Sequence, residues 1–196
     1  MNRLNLKMVP AHMRDEVEKQ FAAGNAALML VTMPNTECLE FVAHNAGALT
    51  LRGIYERAVV IAFSDTRTNF ADYPAATVRY VFDMADRRKL LAAGDPLPPG
   101  DMYTVYRGVA GTGCQRRLAG PSWTGDAERA KWYARRSALA GLEKPAVLVA
   151  SVPRREVYYY TDRCNEREFV VYVDSPKRLD IDLGDPRREV EEEAKA

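Results

Sequence analysis

Apolar positions fall three to four residues apart through the first half of the chain and gather into short β-prone runs in the second. Met13, Val17 and Phe21 form one helical stripe before Gly24, and Leu39, Val42 and Ala46 form another before Gly47. Ile54, Ala58, Ile61 and Ala62 mark a third helix. Val78, Val81, Phe82 and Ala85 mark a fourth, whose basic end Arg87-Arg88-Lys89 suits the negative pole of a helix, with Gly94 as its stop. The run Ala26-Leu28-Met29-Leu30-Val31 is too short for periodicity to choose between a buried strand and a helix.

The texture changes at Asp95-Pro96-Leu97-Pro98-Pro99-Gly100-Asp101, where the prolines lack the amide donor a helix needs and restrict the residues before them. Beyond this stiff connector the β-prone runs are Met102 to Tyr106, Ala146 to Val152, Glu156 to Tyr160, Phe169 to Val173 and Arg178 to Ile181. One helix interrupts them. Asp126 is its expected N-cap, and Ala127, Ala130, Tyr133, Ala134 and Ser137 give it a face of small residues that can lie close to a sheet. The division expected is therefore a helical N-terminal module over residues 1–95, an α+β module over 96–183, and a charged tail over 184–196 carrying Arg187-Arg188-Glu189-Val190-Glu191-Glu192-Glu193.

Composition narrows the chemistry. With 47% hydrophobic and 28% charged residues and a formal net charge of +1, the chain has no global pull toward polyanions. No apolar run approaches the roughly 18 to 20 residues that span a bilayer, and Pro10 and the acids after it stand where a signal peptide needs an apolar core. A cytoplasmic protein with no membrane partner is expected. Cys38, Cys114 and Cys164 are far apart and odd in number, which argues against a disulfide framework or a zinc site. His12 and His44 have no partner ligands at useful spacing, so no metal is expected and histidine-based nucleophilic catalysis has little to draw on. Chemistry must rest on carboxylates, hydroxyls and arginines.

Three pieces carry those groups in order: Tyr103-Thr104-Val105-Tyr106-Arg107-Gly108, Gly120-Pro121-Ser122-Trp123-Thr124 and Asn165-Glu166-Arg167-Glu168-Phe169-Val170-Val171. They resemble the Arg, Ser-containing and Glu-x-Glu motifs of the R-S-E class of ADP-ribosyltransferases. The helix after Thr124, with Ala130, Tyr133 and Ala134, looks like the one that follows the serine motif in that family. The likeness covers the C-terminal half and none of residues 1–95. It implies an ADP-ribosyltransferase-like split β-sandwich, two small antiparallel sheets around a cofactor cleft, with the N-terminal helical module against one side. It also implies a mono-ADP-ribosyltransferase of the kind found among bacterial or phage effectors and toxins, which cleaves NAD+ as its substrate.

Cleaving the nicotinamide–ribose bond passes through an oxocarbenium-like state, so a catalyst needs a cation for the pyrophosphate and an anion near C1′. Arg107, at a strand end, can aim a forked guanidinium at phosphate oxygens, and Gly108 permits close backbone approach to the cofactor. An extended backbone would turn Glu166 and Glu168 to one side and Arg167 to the other. By the resemblance, Glu168 is the catalytic glutamate that bonds the ribose hydroxyls and stabilises positive charge as nicotinamide leaves. Glu166 orients or deprotonates the acceptor, Ser122 orients Glu168, and Thr124 supports the strand or contacts the nicotinamide ribose. Among Tyr158, Tyr159 and Tyr160, strand alternation lets at most one face line a pocket, and Tyr160 is the ring expected against the cofactor. Trp123 should pack beneath the site, and Trp132 falls opposite the alanine face of its helix.

The acceptor is less defined. Where many members have Ser-Thr-Ser, this chain has Ser-Trp-Thr, and the loop Thr161-Asp162-Arg163-Cys164-Asn165 lacks the aromatic and hydroxyl spacing of protein-modifying members. The first glutamate resembles members that modify arginine, while relatives that modify nucleic acid keep a second macromolecular acceptor open. Arg154, Arg155 and Arg163 would suit an anionic partner. An NAD+ glycohydrolase, with water as acceptor, and a non-enzymatic binding module in which Arg107 and the glutamates form an ion-pair network are the two alternatives.

Overall fold

The computed structural model describes residues 3–65, 73, 75–112 and 120–184 of the chain. Two compact units emerge, Met1–Gly94 and Asp95–Ala196. The charged run from Arg187 onward lies outside the described residues, as does Cys114.

The first unit is helical: α1 (Arg14–Ala22), α2 (Ala26–Val31), α3 (Cys38–His44), α4 (Ala46–Arg52), α5 (Tyr55–Val60) running into a π-helical turn at Ile61–Asp65, α6 (Ala75–Asp83) and α7 (Arg87–Ala93). The ambiguous apolar run is a helix, α2, started by the Asn25 side chain, which accepts from the Leu28 N–H. Two boundaries differ from the sequence reading. The helix that carries Leu39 and Val42, α3, ends before Gly47, with Asn45 as its C-cap; Gly47 falls in the first turn of α4, where a side chain would meet open space, and α4 in turn stops at Gly53, in the left-handed conformation with φ 76°. The basic run Arg87-Arg88-Lys89 does not end the fourth helix either. It opens α7, because the Asp86 carboxylate accepts from the Arg88 and Lys89 N–H groups and its negative charge offsets theirs at the positive helix pole.

Leu39, Phe41, Val42, Leu49, Tyr55 and Phe82 are fully buried in this unit. Most of its buried polar groups are hydrogen-bonded, although Glu37 Oε2 is buried without a partner among the described residues. The Tyr55 hydroxyl donates to the Val81 carbonyl at 2.8 Å, and the Asn45 amide donates to the Phe41 carbonyl and accepts from the Asn5 N–H. The Asp86 N–H donates to the Glu56 carboxylate at 3.0 Å. Burial pushes the Cys38 thiol up to about 11, which leaves it an inert core residue.

Among the described residues the second unit combines one α-helix, α8 (Ala127–Leu139), with six strands: β1 (Met102–Val109), β2 (Ser122–Thr124), β3 (Ala146–Pro153), β4 (Tyr159–Thr161), β5 (Glu168–Val170) and β6 (Lys177–Leu179). The protein is thus α+β. The two separate sheets expected from the sequence are instead one antiparallel sheet in the order β4-β5-β2-β1-β3-β6. Its two halves are unequally joined. β1 and β3 pair along eight positions from Met102↔Pro153 to Val109↔Ala146, whereas β1 and β2 register at the single pair Tyr106↔Thr124. Were that ladder to continue, Gly108 would face Ser122 and Ala110 would face Gly120; the strands part instead, and the gap opens a cleft.

Strand register sorts side chains by face. Tyr106, Thr124, Glu168 and Thr161 are successive partners across β1, β2, β5 and β4, so they share one face. Trp123, Phe169 and Tyr160 share the other and join Tyr103, Val105 and Val152 in the core of the unit. Helix α8 covers β1 on the Gly108 side. Its start is fixed by Asp126, whose carboxylate accepts from the Glu128 and Arg129 N–H groups as the sequence predicts. The reason for a glycine at 108 lies here. A Cβ would overlap the Ala130 carbonyl oxygen and come within 2.6 Å of Ala134 N and 2.8 Å of Tyr133 Cβ, so only glycine lets α8 sit this close.

Candidate active-site cleft

The opening between β1 and β2, walled by α8, is a cleft of about 190 Å³ lined by Tyr106, Arg107 and Gly108 on β1, Ser122 to Thr124 on β2, Tyr133 and Ser137 on α8, and Glu166 and Glu168. The arginine, serine and glutamates singled out in the sequence therefore converge on one place.

Arg107 sits where the ladder fails. Its Nη1 donates to the Gly120 carbonyl and, at 3.1 Å, to the Ser122 carbonyl, satisfying acceptors that a continued β1–β2 ladder would have paired. Gly120 is what makes room: a Cβ there would overlap Nη2 and lie 2.8 Å from Cζ of Arg107. Burial lowers the guanidinium to about 10, against the pull of the Glu168 carboxylate that favours the charged form, so it stays a cation at neutral pH. The sequence aims this side chain at phosphate; in the structure its observed bonds brace β1 against the start of β2.

At the start of β2, the Ser122 hydroxyl donates to Oε1 of Glu168 at 2.5 Å, fixing the carboxylate at the mouth of β5. Arg107, Ser122 and Glu168 form a continuous link, guanidinium to backbone carbonyl and hydroxyl to carboxylate.

Glu166 reaches the cleft by a route that strand alternation does not describe. It follows the 3₁₀ turn Arg163–Asn165 with helical dihedrals, and Arg167 between the two glutamates is left-handed at φ 46°. Thr124 holds this turn. Its buried hydroxyl donates to the Glu166 carbonyl at 2.7 Å and accepts from the Asp126 N–H, so of the two roles expected for it the structure shows strand and turn support. The Glu166 carboxylate is gripped by α8: Oε1 accepts from the Tyr133 hydroxyl at 2.7 Å and from Arg129 Nη2 at 3.1 Å.

The sequence does not single out Arg129, and it gives Tyr133 a place on a small-residue helix face resembling the family's but no link to Glu166. Arg129 and Tyr133 stand one turn apart on α8, a spacing that puts both on one helix face, but their partner is 33 to 37 residues away. The Arg129 guanidinium lies 4.9 Å from the Trp132 ring centroid and 5.6 Å from that of Tyr133. Burial works against its charge, but the Glu166 hydrogen bond and the neighbouring Tyr133 outweigh this and hold it protonated. Burial and the bond to Glu166 push the Tyr133 hydroxyl well above its ordinary range. Trp132 lies between Arg129 and Arg136, the latter 5.1 Å from its ring.

Two expectations need correction. Tyr160 does not line the cleft; its register with Phe169 turns the ring into the core, 4.8 Å from the Phe169 ring and 5% exposed. Gly108 does line it, but the space its missing side chain leaves is filled by α8 rather than offered to a cofactor. Trp123 packs beneath the site, 2% exposed. Among the described residues no group of His, Cys, Asp and Glu side chains is gathered as a metal would need, and no helix is long and apolar enough to cross a membrane.

Comparison with protein-family models, curated proteins and solved structures finds no match for this chain. Function must be argued from the cleft.

Proposed function

We propose that the second unit cleaves NAD+ at the nicotinamide–ribose bond and transfers ADP-ribose to an acceptor, as a mono-ADP-ribosyltransferase whose divided sheet corresponds to the split β-sandwich of the R-S-E class. One observation carries this reading: the Ser122 hydroxyl holds the Glu168 carboxylate at the mouth of a cleft beside the Arg107 cation. That set matches what the reaction needs, an oriented anion for the oxocarbenium-like ribose and a nearby cation for the pyrophosphate.

Size limits how the substrate lies. Sites that enclose a drug-sized ligand run from about 300 Å³ upward, so a cleft of about 190 Å³ takes the nicotinamide–ribose end and leaves the adenosine outside. As the glycosidic bond breaks, nicotinamide leaves with the bonding pair, and Glu168, restrained by Ser122, faces the positive charge left on the ribose. Arg107 lies close enough to Glu168 for their charges to interact. Glu166 receives the acceptor.

Nicotinamide release from NAD+ by the purified protein tests the proposal, with Glu168→Gln expected to lose about 10³-fold in rate. Equal rates for the two proteins, or no NAD+ binding by calorimetry at millimolar concentration, would assign Arg107 and the glutamates to a purely structural network. A second reading, an NAD+ glycohydrolase, is favoured by the double grip of Tyr133 and Arg129 on Glu166 Oε1, which leaves little carboxylate for a large acceptor. Free ADP-ribose without any labelled macromolecule would select it.

A further inference from the structure

We propose that the Glu166 corner of the cleft admits a neutral oxygen nucleophile, an alcohol or water, and turns away a cationic guanidinium, with Arg129 as the residue that sets this choice. The inference rests on NAD+ cleavage by the second unit and goes beyond it by naming the acceptor class.

Two features of the geometry point the same way. A carboxylate recognises a guanidinium best through both oxygens, in a two-pronged hydrogen-bonded fork. Here Oε1 already accepts from the Tyr133 hydroxyl at 2.7 Å and from Arg129 Nη2 at 3.1 Å, and an oxygen has two lone pairs to offer. Among the described residues both side-chain bonds to this carboxylate fall on Oε1, so the fork is closed and one oxygen, Oε2, remains for the acceptor.

Charge is the second feature. The Glu166 carboxylate is paired with Arg129, so a guanidinium brought to Oε2 meets a compensated anion with a like charge beside it. Both partners are about one-third exposed, 31% and 36%, which weakens the repulsion by solvent screening without abolishing it. The elements that carry the pair are held in place. Arg129 lies against the rings of Trp132 and Tyr133, α8 is seated on Gly108 with no room for a Cβ, and the Glu166 carbonyl is tied to Thr124.

A hydroxyl needs less of the site. It uses one carboxylate oxygen and brings no charge. The C1′–N bond breaks and nicotinamide leaves with the electron pair; an oxygen lone pair of the alcohol or water forms the new C1′–O bond; the proton of the resulting oxonium passes to Oε2 of Glu166. Such an oxonium is a strong acid, so a carboxylate already paired with Arg129 remains an adequate base for it.

The test offers NAD+ to the full-length protein together with methanol and agmatine, the latter a small guanidinium, and follows nicotinamide release and the products by mass spectrometry. The wild type should yield ADP-ribose or methyl ADP-ribose and almost no agmatine adduct. Arg129→Gln, which removes the charge, should raise the agmatine share about tenfold or more relative to the hydroxyl products, and Arg129→Lys, which keeps it, should restore the wild-type partition. Wild-type protein that uses agmatine as readily as methanol, or identical partitions for the Gln and Lys variants, would overturn the inference while leaving NAD+ cleavage standing. Absence of nicotinamide release from the wild type would remove the NAD+ reading and this inference together.

Discussion

The hydroxyl of Ser122 donates to Oε1 of Glu168 at 2.5 Å, although the two are 46 positions apart in the chain. Pairing of β2 with β5 brings the two together: Ser122 stands opposite Val170 and Thr124 opposite Glu168, so serine and glutamate project from one face as diagonal neighbours. Replacing Ser122 with alanine should therefore leave the strands paired and release the carboxylate. Expected is a fall in the turnover number for nicotinamide release of about 10- to 100-fold, with a stability loss of about 1 to 2 kcal/mol by denaturant titration. An unchanged turnover number would mean that Glu168 needs no orientation.

Among the described glycines, Gly108 is the one whose missing side chain meets backbone most closely. Alanine there would drive its Cβ into the Ala130 carbonyl, backbone that cannot move without shifting α8. Overpacking of this kind costs about 1 to 3 kcal/mol, and the shift would also carry Tyr133 and Arg129 away from Glu166. Hydrogen exchange should show lost protection in β1 and α8. Protection in α1 to α5, which belong to the other unit, should be unaffected.

The parts of this site that could be read from sequence are those governed by strand alternation and helix capping. Arg107, Ser122 and Glu168 could be placed because each lies on or beside a β-prone run, and α8 could be started at Asp126 because a carboxylate before an alanine-rich run is a cap. What escaped depends on contacts between distant residues or on unusual dihedrals. The grip of Arg129 and Tyr133 on Glu166 needs α8 laid over β1, and the approach of Glu166 depends on Arg167 at φ 46°, which no periodicity reveals. The same holds in the helical unit, where the chain changes helix at Asn45 and not at the glycine two residues on, which is already in the first turn of α4.

Tyr160 separates a core role from a cofactor role. Its ring packs at 4.8 Å from Phe169 on the face of the sheet opposite Glu168. Tyr160→Phe keeps that packing, so nicotinamide release should stay within about twofold of wild type, whereas Tyr160→Ala should cost about 3 to 5 kcal/mol of stability, in line with other large-to-small core changes. A large rise in KM for NAD+ in the Phe variant would restore the ring to the cleft.

Tyr133 ties the stability of the second unit to alkaline pH. Burial first, then its hydrogen bond to Glu166, raise its folded-state titration above the ordinary 10.0, while the field of Arg129 opposes this in part. A phenol that is harder to ionise in the folded state stabilises that state fully below the unfolded value, and the contribution is lost as pH rises past 10 toward the folded value. The sign follows from proton uptake: in that window the folded chain binds more protons than the unfolded one, so raising the pH favours unfolding. Tyr160 is shifted in the same direction, burial again leading, so part of the alkaline loss belongs to it. Thermal melts of an isolated Asp95–Ala196 fragment, if it folds, or otherwise hydrogen exchange of α8 in the intact chain, should show a decline above pH 10 that is shallower in Tyr133→Phe than in wild type. The Phe variant cannot donate to Glu166, so it should also be less stable than wild type at pH 7. Parallel pH profiles for the two proteins would mean that Tyr133 ionises as freely in the folded chain as in the unfolded one, and the hydroxyl would then not be held by Glu166.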